Sequence, residues 1–416
     1  ALGVACLSLM GLGCRRSASP TDSVDQALVV WGLWQDSKQL DPIIQRFGDL
    51  TDIEVEYKKI SNVATYERDL VQALAEGRGP DVFVIHHNWV NDKRGLLSPA
   101  PSDVVDQRAV ADEFVDVVSD DLVIDGQVWG LPTSVDTLAL FYNKDLLNAA
   151  GVARPPATWS DFQQMVERVT EVSRVGVIQQ SAAALGTAAN VNRAGDVLQG
   201  LMLQSGLAII NDRGDGVSIA NDIGERALTF YTDFANKAKR VFTWNLQQDF
   251  SIDAFSEGDT ATMVNYSYHI PTVRAKNPRL NFAVAPLPQI TGQADAAKVN
   301  FAAYWPWAVS SSSPAPHAAW TFVRFLTDHD QALELNEAQR VPPARRDSIL
   351  ETQRDPELGV FAEQALTAQS WPRVDIAATD AVFNQLIDSV VTGSTSLEDA
   401  LERAEDQLTQ LQQEES

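Results

Sequence analysis

Three short apolar runs near the start of the chain alternate with two amphipathic segments, and this order restricts the possible folds more than any other feature. The runs, typical of buried or half-buried strands, are residues 27–34, 53–57 and 81–85. Between them apolar residues recur every three or four positions, which predicts one helix capped at Ser37 and a second that Gly77 terminates. The βαβαβ order predicts a doubly wound α/β start, whose ligands bind at the carboxyl ends of the strands. Those ends are residues 34–35 and 86–89.

The rest of the chain continues the α/β pattern without repeats or low-complexity blocks. Residues 128–132 and 138–142 predict two further strands, and Ser160 with Gln163 predicts the capping box of a helix. A last amphipathic helix is expected after Ser396. The stretch 176–200, rich in Ala, Gly and Asn, indicates no definite element. We therefore expect an α/β protein with mixed connections.

Composition and charge exclude several classes of function. Acidic residues number 56 and basic residues 32, a formal net charge of −24, which repels phosphate backbones and anionic lipid headgroups. Nucleic-acid binding and a polybasic membrane patch are therefore not expected. The 416 residues, 45% of them hydrophobic, suffice for two or three domains. Both cysteines, Cys6 and Cys14, lie in the first fourteen residues, which excludes a disulfide framework, a zinc cluster and a cysteine nucleophile from the body of the chain.

The first segment is interpreted as an export signal. Residues 1–13 are continuously apolar but number only thirteen, whereas a bilayer span needs about twenty. The run ends in Leu12-Gly13-Cys14, which resembles the lipobox of bacterial lipoproteins, although Gly11 stands where that box prefers Leu. Residues 15–27 have the Ser-, Pro- and Asp-rich composition of a flexible tether. We expect an exported protein that is lipid-anchored through Cys14; an ordinary signal peptide with a fortuitous cysteine is the alternative.

A series of short motifs, in order over roughly 300 residues, resembles the extracellular solute-binding proteins of bacterial ABC importers, in the sugar-binding group typified by maltose-binding protein. The motifs are Gly79-Pro80-Asp81-Val82, Gly95-Leu96-Leu97, Gly130-Leu131-Pro132, Tyr142-Asn143-Lys144-Asp145-Leu146-Leu147, Ala150-Gly151, Thr158-Trp159, Ala254-Phe255-Ser256-Glu257-Gly258, Ala285-Pro286-Leu287-Pro288 and Pro343-Ala344-Arg345-Arg346.

The resemblance implies the class II periplasmic-binding-protein fold, two α/β lobes joined by a hinge that the chain crosses several times, with solute bound between the lobes. Carried over, the crossings lie near residues 135–137, 301–304 and 342–344. The N-terminal lobe (N-lobe) is then expected to comprise residues 28–136 and 304–342. The C-terminal lobe (C-lobe) is expected to comprise residues 137–303 and 343–416.

A cleft that selects a neutral sugar needs aromatic faces for the apolar side of the ring and fixed polar groups for its hydroxyls. The ten tryptophans supply aromatic rings in excess, and most are expected in the core. The aromatic candidates are Trp34 at a strand end, Trp305 at a crossing, Trp244, and Tyr268, which stands where the family places a stacking tryptophan.

The polar candidates for ligand contact are Gln35, Asn88, Asp136 and Arg345. Asp136 aligns without gaps with the segment that supplies an acidic ligand contact in the family, and Asn88 stands where the family often has Asp. Arg345 carries a fork of donors beside the third crossing, and an interlobe salt bridge is its alternative role. His86 and His87 are adjacent at a strand end, so their side chains are expected on opposite faces and not as metal co-ligands.

The sequence therefore predicts a receptor that is not an enzyme, is monomeric, needs no cofactor or metal, and passes a carbohydrate to the permease subunits of an ABC transporter. No P-loop, nucleophile-elbow or zinc-protease motif occurs in the sequence. Two alternatives stay open. One keeps the fold but binds glycerol phosphate, a polyamine or an anion, and the other is an exported carbohydrate-active enzyme with paired carboxylates.

Overall fold

The structure is a computed structural model that describes residues 27–211, 216–290, 298–373 and 375–414. The predicted signal segment with Cys14 and all but the last residue of the predicted tether lie outside the described residues. Within the described ranges, no helix has both the length and the apolar character that crossing a membrane requires.

The strands are short, and each has at most six residues. In chain order they are β1 (Leu28–Gly32), β2 (Val55–Lys59), β3 (Val82–Val84), β4 (Leu97–Ser98), β5 (Val123–Ile124), β6 (Gln127–Val128), β7 (Asp136–Thr137), β8 (Ala139–Asn143), β9 (Glu171–Val172), β10 (Ile178–Ala183), β11 (Thr260–Asn265), β12 (Phe282–Ala285), β13 (Asn300–Ala303), β14 (Trp307–Ser310) and β15 (Ala368–Gln369).

Helices cover the faces of the sheets. In chain order they are α1 (Ser37–Thr51), α2 (Val63–Ala75), α3 (Trp89–Asp92), α4 (Gln107–Glu113), α5 (Asp116–Leu122), α6 (Lys144–Ala149), α7 (Trp159–Val169), α8 (Ala194–Gln204), α9 (Asp222–Asp233), α10 (Ser251–Glu257), α11 (Ile270–Lys276), α12 (Pro316–Leu326), α13 (His329–Gln339), α14 (Arg346–Thr352), α15 (Gly359–Ala365), α16 (Ile376–Val391) and α17 (Leu397–Glu414).

The N-lobe is built on a five-stranded sheet of order β2-β1-β3-β14-β4. Its first three strands are parallel, which confirms the βαβαβ start, and β14 is antiparallel to β3. Asp36, not Ser37, is the N-cap of α1: its backbone N–H donates to the side chain of Gln39 at 2.9 Å. The α2 helix ends as predicted, since Gly77 has φ +67°, a conformation that favours glycine. The carboxyl ends of β1 and β3 thus lie at one edge of the N-lobe.

The C-lobe is built on a mixed sheet of order β12-β8-β11-β10-β9. Here β8 is antiparallel to β11 and β12, whereas β10 runs parallel to β11. The unassigned stretch 176–200 forms β10 and the first part of α8, a helix that is buried at every residue. Thr158 rather than Ser160 caps α7, because its hydroxyl accepts the N–H of Asp161 at 3.1 Å.

A third sheet, of order β15-β13-β7, joins the lobes. Asp136 pairs with Ala303 across β7 and β13, so residues of the first two expected crossings lie side by side in this sheet. The third boundary lies later than predicted. Ala344 and Ile349 belong to the N-lobe core, whereas Trp371 belongs to the C-lobe core. The chain therefore passes to the C-lobe for the last time at β15, because α14 still covers N-lobe apolar surface.

Candidate functional site

Four aromatic side chains at the edge of the N-lobe form one cluster, here called the N-lobe aromatic cluster: Trp34, His86, Trp89 and Trp305. Trp305 is central, with ring centroids 5.0 Å from Trp34, 5.1 Å from His86 and 5.1 Å from Trp89. All three contacts are edge-to-face, the arrangement that aromatic quadrupoles favour. Trp34 remains 44% exposed. The contact with Trp305 therefore fixes the ring of Trp34, while part of that ring stays open to a solute.

The two adjacent histidines lie together, so the prediction that they point to opposite faces is wrong. Strand β3 ends at Val84, and the loop that follows does not keep the alternation of a strand. The rings of His86 and His87 lie 4.4 Å apart. His87 also stacks on Tyr304 at 4.4 Å, and its Nδ1 lies 3.0 Å from a carboxylate oxygen of Asp121.

The C-lobe presents a second aromatic group, here called the C-lobe tyrosine group: Arg193, Tyr266 and Tyr268. Tyr268 follows β11 in a short 3-10 turn, is 41% exposed and stacks on Tyr266 at 5.6 Å. Arg193 donates from Nη2 to the Tyr268 hydroxyl at 2.7 Å, and its guanidinium lies 5.9 Å from the ring centroid. Burial is the main cause that raises the pKa of Tyr268 to about 12. Its hydroxyl is therefore protonated at neutral pH and remains a hydrogen-bond donor and acceptor.

Buried charged residues hold the C-lobe tyrosine group in place. Asp196 accepts the Tyr266 hydroxyl at 2.9 Å and Nη2 of Arg373 at 2.5 Å. Burial opposes ionisation of Asp196, but the charges of Arg373 and Arg193 outweigh it and hold its pKa below its ordinary value. Arg373 also donates from Nη1 to Asp380 at 2.8 Å. The paired charges orient the tyrosines because Asp196 binds the Tyr266 hydroxyl and Arg193 binds the Tyr268 hydroxyl.

Asp136 lies at the first hinge crossing, next to the C-lobe tyrosine group. Its Oδ2 accepts the Ser267 hydroxyl at 2.7 Å and the Ser267 N–H at 3.0 Å, while Oδ1 accepts the Thr137 N–H at 2.8 Å. Burial raises the pKa of Asp136 to about 6, although these hydrogen bonds act in the opposite direction. Asp136 is thus a half-buried carboxylate that titrates close to neutral pH.

The two lobes face each other across the cleft at His86. Burial lowers the pKa of this imidazole well below its ordinary value, and the positive charges of Arg373 and Arg193 contribute after that of His87. Both guanidinium groups belong to the C-lobe and His86 to the N-lobe. The loop that carries His86 therefore faces the C-lobe, and one cavity is lined by His87 and Asn88 of the N-lobe together with Trp371 and Arg373 of the C-lobe.

Gln35 and Asn88 take the positions that the strand ends predicted. Gln35 is buried, its backbone carbonyl accepts the Tyr57 hydroxyl at 2.6 Å, and its Oε1 has no hydrogen-bond partner. The backbone N–H of Asn88 donates to Nδ1 of His86 at 3.3 Å, and the residue is half-buried. A buried carbonyl oxygen without a donor is costly unless a ligand or water supplies one, so Gln35 is an acceptor ready for a hydroxyl.

Two predicted contact residues do not lie at the cleft. Trp244 has no exposed surface, packs in the C-lobe core and donates its indole N–H to Asn190 at 3.1 Å. Arg345 is 5% exposed, and its guanidinium is bound by Glu113 at 2.6 Å and Asp347 at 2.8 Å. The prediction is corrected for both: Trp244 is a core residue, and Arg345 joins α4 to α14 through its ion pairs.

Among the residues of the two aromatic groups, Trp89, Arg193 and Tyr266 were not considered as contacts from the sequence. Trp89 lies in the predicted strand-end segment and was identifiable by position. Arg193 lies in the stretch without periodicity and adopts φ +62°, a left-handed conformation that no sequence signal announces for arginine. Outside the cleft, three exposed carboxylates come within 4.8 Å of one another, at Asp249, Glu257 and Asp259. Exposed acidic groups of this kind are common without a metal ion, and we assign none here.

Comparison with known proteins agrees with this two-lobed cleft. The family model described as bacterial extracellular solute-binding protein matches residues 31–333. The chain belongs to this family. Solute-binding proteins similar to it include the maltotriose-binding protein of Pyrococcus abyssi, 23% identical over 295 residues, which are 68% of this chain and 58% of that protein. The chain thus matches less than two thirds of that relative's length.

Another solute-binding relative, the galactooligosaccharide-binding protein of Bacillus subtilis, is 23% identical over 418 residues, 96% of this chain and 92% of that protein. Among solved structures, the sugar-binding protein MalE of Xanthomonas citri superposes with a TM-score of 0.78 at 19% identity, covering 94% of this chain and 98% of the other. At that identity the likeness concerns the fold alone, and it confirms the predicted periplasmic-binding-protein architecture.

Proposed function

We propose that this solute-binding protein is the exported receptor of an ABC importer and captures a carbohydrate between its lobes. The observation that carries the proposal is the presence of an exposed aromatic ring on each lobe: Trp34, in edge contact with the half-buried Trp305, on the N-lobe, and Tyr268 on the C-lobe. Aromatic faces cover the apolar side of a sugar ring, and the groups around them, Gln35 and Asp136, accept hydrogen bonds from hydroxyls. The sugar specificities named for the relatives from Pyrococcus and Bacillus support the same class of solute.

We further propose that binding involves no chemical change. The carboxylate at the hinge, Asp136, is held by Ser267, and Asp196 is bound by Arg373 and Tyr266. In that arrangement both carboxylates accept hydrogen bonds from protein groups, and the two do not form a free acid–base pair. Solute closes the lobes through its higher affinity for the closed state, and the closed protein docks on the permease subunits as a monomer.

A thermal-shift screen against a library of mono- and oligosaccharides, polyamines and organic phosphates tests the proposal. A ligand at about 100 times its Kd adds about 2.7 kcal/mol to the free energy of unfolding, which shifts the melting temperature measurably. We expect stabilisation by saccharides and intact saccharide on chromatography after prolonged incubation. Stabilisation by organic phosphates or polyamines alone contradicts the carbohydrate proposal, and hydrolysed saccharide contradicts the receptor proposal.

Membrane anchoring through Cys14 is proposed on the sequence alone. We expect the protein expressed from its full precursor to partition with membranes, since the lipoprotein modification supplies more than one acyl chain. The Cys14→Ala protein should appear in the soluble fraction, whereas the matched Cys6→Ala protein should stay with the membrane. Fractionation followed by immunoblotting measures both, and a membrane-bound Cys14→Ala protein contradicts the anchor.

A further inference from the structure

A cavity of about 310 Å³ lies between the lobes, beside the N-lobe aromatic cluster. Its N-lobe wall is formed by the loop after β3 together with α3 and the end of α5, and its C-lobe wall by the start of α16, the segment before it and the end of α17. It adjoins the cleft through His87, whose ring lies 4.4 Å from that of His86. Its volume falls in the range of small-molecule pockets, about 300–1,000 Å³.

The N-lobe wall of this cavity is acidic, with Asp92, Asp120 and Asp121. Asp121 is bound by Tyr304 at 2.7 Å and by Ser370 at 2.6 Å. The carboxylate of Asp120, by contrast, has no hydrogen-bond or ion-pair partner in the described part of the chain. Burial raises its pKa, and the negative charges of Asp121 and Asp116 contribute to the same shift. In the described part of the chain, the negative charge of Asp120 on this wall is therefore not paired with a cation.

The C-lobe wall supplies a donor whose positive charge is already balanced. Among the described residues that line the cavity, Arg373 and His87 are basic, and Arg373 is buried. Its Nη atoms bind Asp196 at 2.5 Å and Asp380 at 2.8 Å, so two carboxylates face one guanidinium. Its Nε is buried without a hydrogen-bond partner. Nε of Arg373 can therefore donate to a hydroxyl oxygen. It adds little attraction for an anion, because Asp196 and Asp380 already balance the charge of the guanidinium.

We propose that this cavity selects solutes by charge: it accepts the end of a saccharide that carries hydroxyl or ammonium groups and excludes one that carries phosphate or carboxylate. The proposal rests on the proposed carbohydrate function and adds the class of saccharide. A hydroxyl donates to Asp120 and accepts from Nε of Arg373, and an ammonium group gains from the same carboxylate. An anionic group meets uncompensated like charge, which is strongly unfavourable where water is partly excluded.

The experiment compares saccharides that differ only in charge. Titration calorimetry measures the affinity of the chain for glucose, glucosamine and glucuronate, for galactose, galactosamine and galacturonate, and for trehalose with trehalose 6-phosphate. In each set that binds, we expect the anionic member to bind at least about tenfold more weakly than the neutral one. Equal or tighter binding of the anionic members overturns the proposal.

Two variants with the same change of charge test the residue. Asp120→Asn removes the unpaired charge of the cavity wall, and Asp49→Asn removes an exposed charge from the last turn of α1, at the end opposite the cleft. Neither carboxylate has a hydrogen-bond partner, so both variants should fold. Asp120→Asn should reduce the ratio of the affinity for the neutral saccharide to that for the anionic one about threefold or more. Asp49→Asn should leave this ratio unchanged. Identical ratios in the two variants overturn the charge filter while saccharide binding stands. Absence of binding by any saccharide, including those of the thermal-shift library, overturns the proposed function as well.

Discussion

At the scale of single residues, the cleft combines rigid aromatic faces with a few acceptors whose hydrogen bonds are incomplete. Trp305 is held on three sides by aromatic rings, and Tyr268 is held by Arg193, so neither ring has to be ordered when a solute arrives. Preorganisation of this kind raises affinity because the entropy cost of ordering is met during folding. Gln35, which follows β1, offers a buried acceptor without a hydrogen-bond partner.

Truncating the aromatic anchors should cost more affinity than any change of surface charge. We expect Trp305→Ala and Tyr268→Ala each to weaken saccharide binding by about 2 kcal/mol, roughly thirtyfold. Tyr268→Phe keeps the ring and loses only the bond from Arg193, so its loss should be smaller. Calorimetry at low and physiological salt measures the affinities, which should depend little on salt for an uncharged solute. A steep salt dependence together with full affinity in both alanine variants contradicts the sugar site.

Asp136 should make the stability of the folded protein depend on pH. Its pKa of about 6 lies above the ordinary value, so the folded protein binds the proton more tightly than the unfolded chain. The carboxylate therefore costs stability at high pH, and this cost disappears as the pH falls through about 6 towards the unfolded value. Wild type should lose stability relative to Asp136→Asn as the pH rises over that window, measured by chemical denaturation.

A hydroxyl that donates to Asp136 favours its ionised form, so saccharide binding near pH 6 should release protons. Calorimetry in buffers of different ionisation enthalpy detects this release, and Asp136→Asn should abolish it and weaken binding at pH 7.5 by about 1–2 kcal/mol. Proton release that persists in Asp136→Asn assigns the titration to another group and contradicts this role.

At the scale of elements, ion pairs hold helices of the N-lobe in place beside the hinge. Arg345 binds Glu113 at the end of α4 and Asp347 in the first turn of α14, and its guanidinium lies 5.5 Å from the ring centroid of Phe114. Glu113 also accepts both arms of Arg324 from α12, at 2.7 and 2.8 Å. Three helices thus share one carboxylate away from the cleft.

Replacing Arg345 should therefore change stability and leave binding unaltered. Arg345→Met removes a buried cation from partly exposed carboxylates, and we expect a loss of about 1–3 kcal/mol in the free energy of unfolding. The Kd for a saccharide should stay within about twofold of wild type, since the side chain does not reach the cleft. Denaturation and calorimetry on the same preparation measure both. A large rise in Kd without loss of stability restores Arg345 as a ligand contact.

At the scale of the whole molecule, the three-stranded hinge sheet permits the lobes to move as rigid bodies. Its strands number two to four residues, and each lobe has its own sheet and its own apolar core. Few backbone hydrogen bonds need to change when the lobes rotate, because the movement is confined to the crossings at β7, β13 and β15.

Small-angle scattering should therefore detect closure when a saccharide from the screen saturates the protein. The radius of gyration should decrease, and the Trp305→Ala protein should follow the same change only at a higher saccharide concentration. An unchanged radius of gyration at saturation contradicts the two-lobed clamp.

The sequence by itself determined the local structure and the family. The spacing of Leu40, Ile43 and Phe47 identifies α1, and the apolar runs identify β1 and β3, because these patterns depend on neighbours along the chain. Short motifs in a fixed order were enough to identify the family, because each motif also depends only on neighbouring residues along the chain. The positions of Trp34, Asn88 and Trp305 at strand ends and at a crossing were predictable, because these parts of the chain have a fixed place in the fold.

Only the tertiary structure decided which side chains face the cleft. Trp244 and Tyr268 are both aromatic residues in the C-lobe, yet one has no exposed surface and the other is 41% exposed. The difference depends on the packing of segments that are distant in sequence, as do the ion pairs of Arg345 with Glu113 and of Arg373 with Asp196. Burial and charge pairing are properties of the assembled lobes, and no periodicity along the chain encodes them.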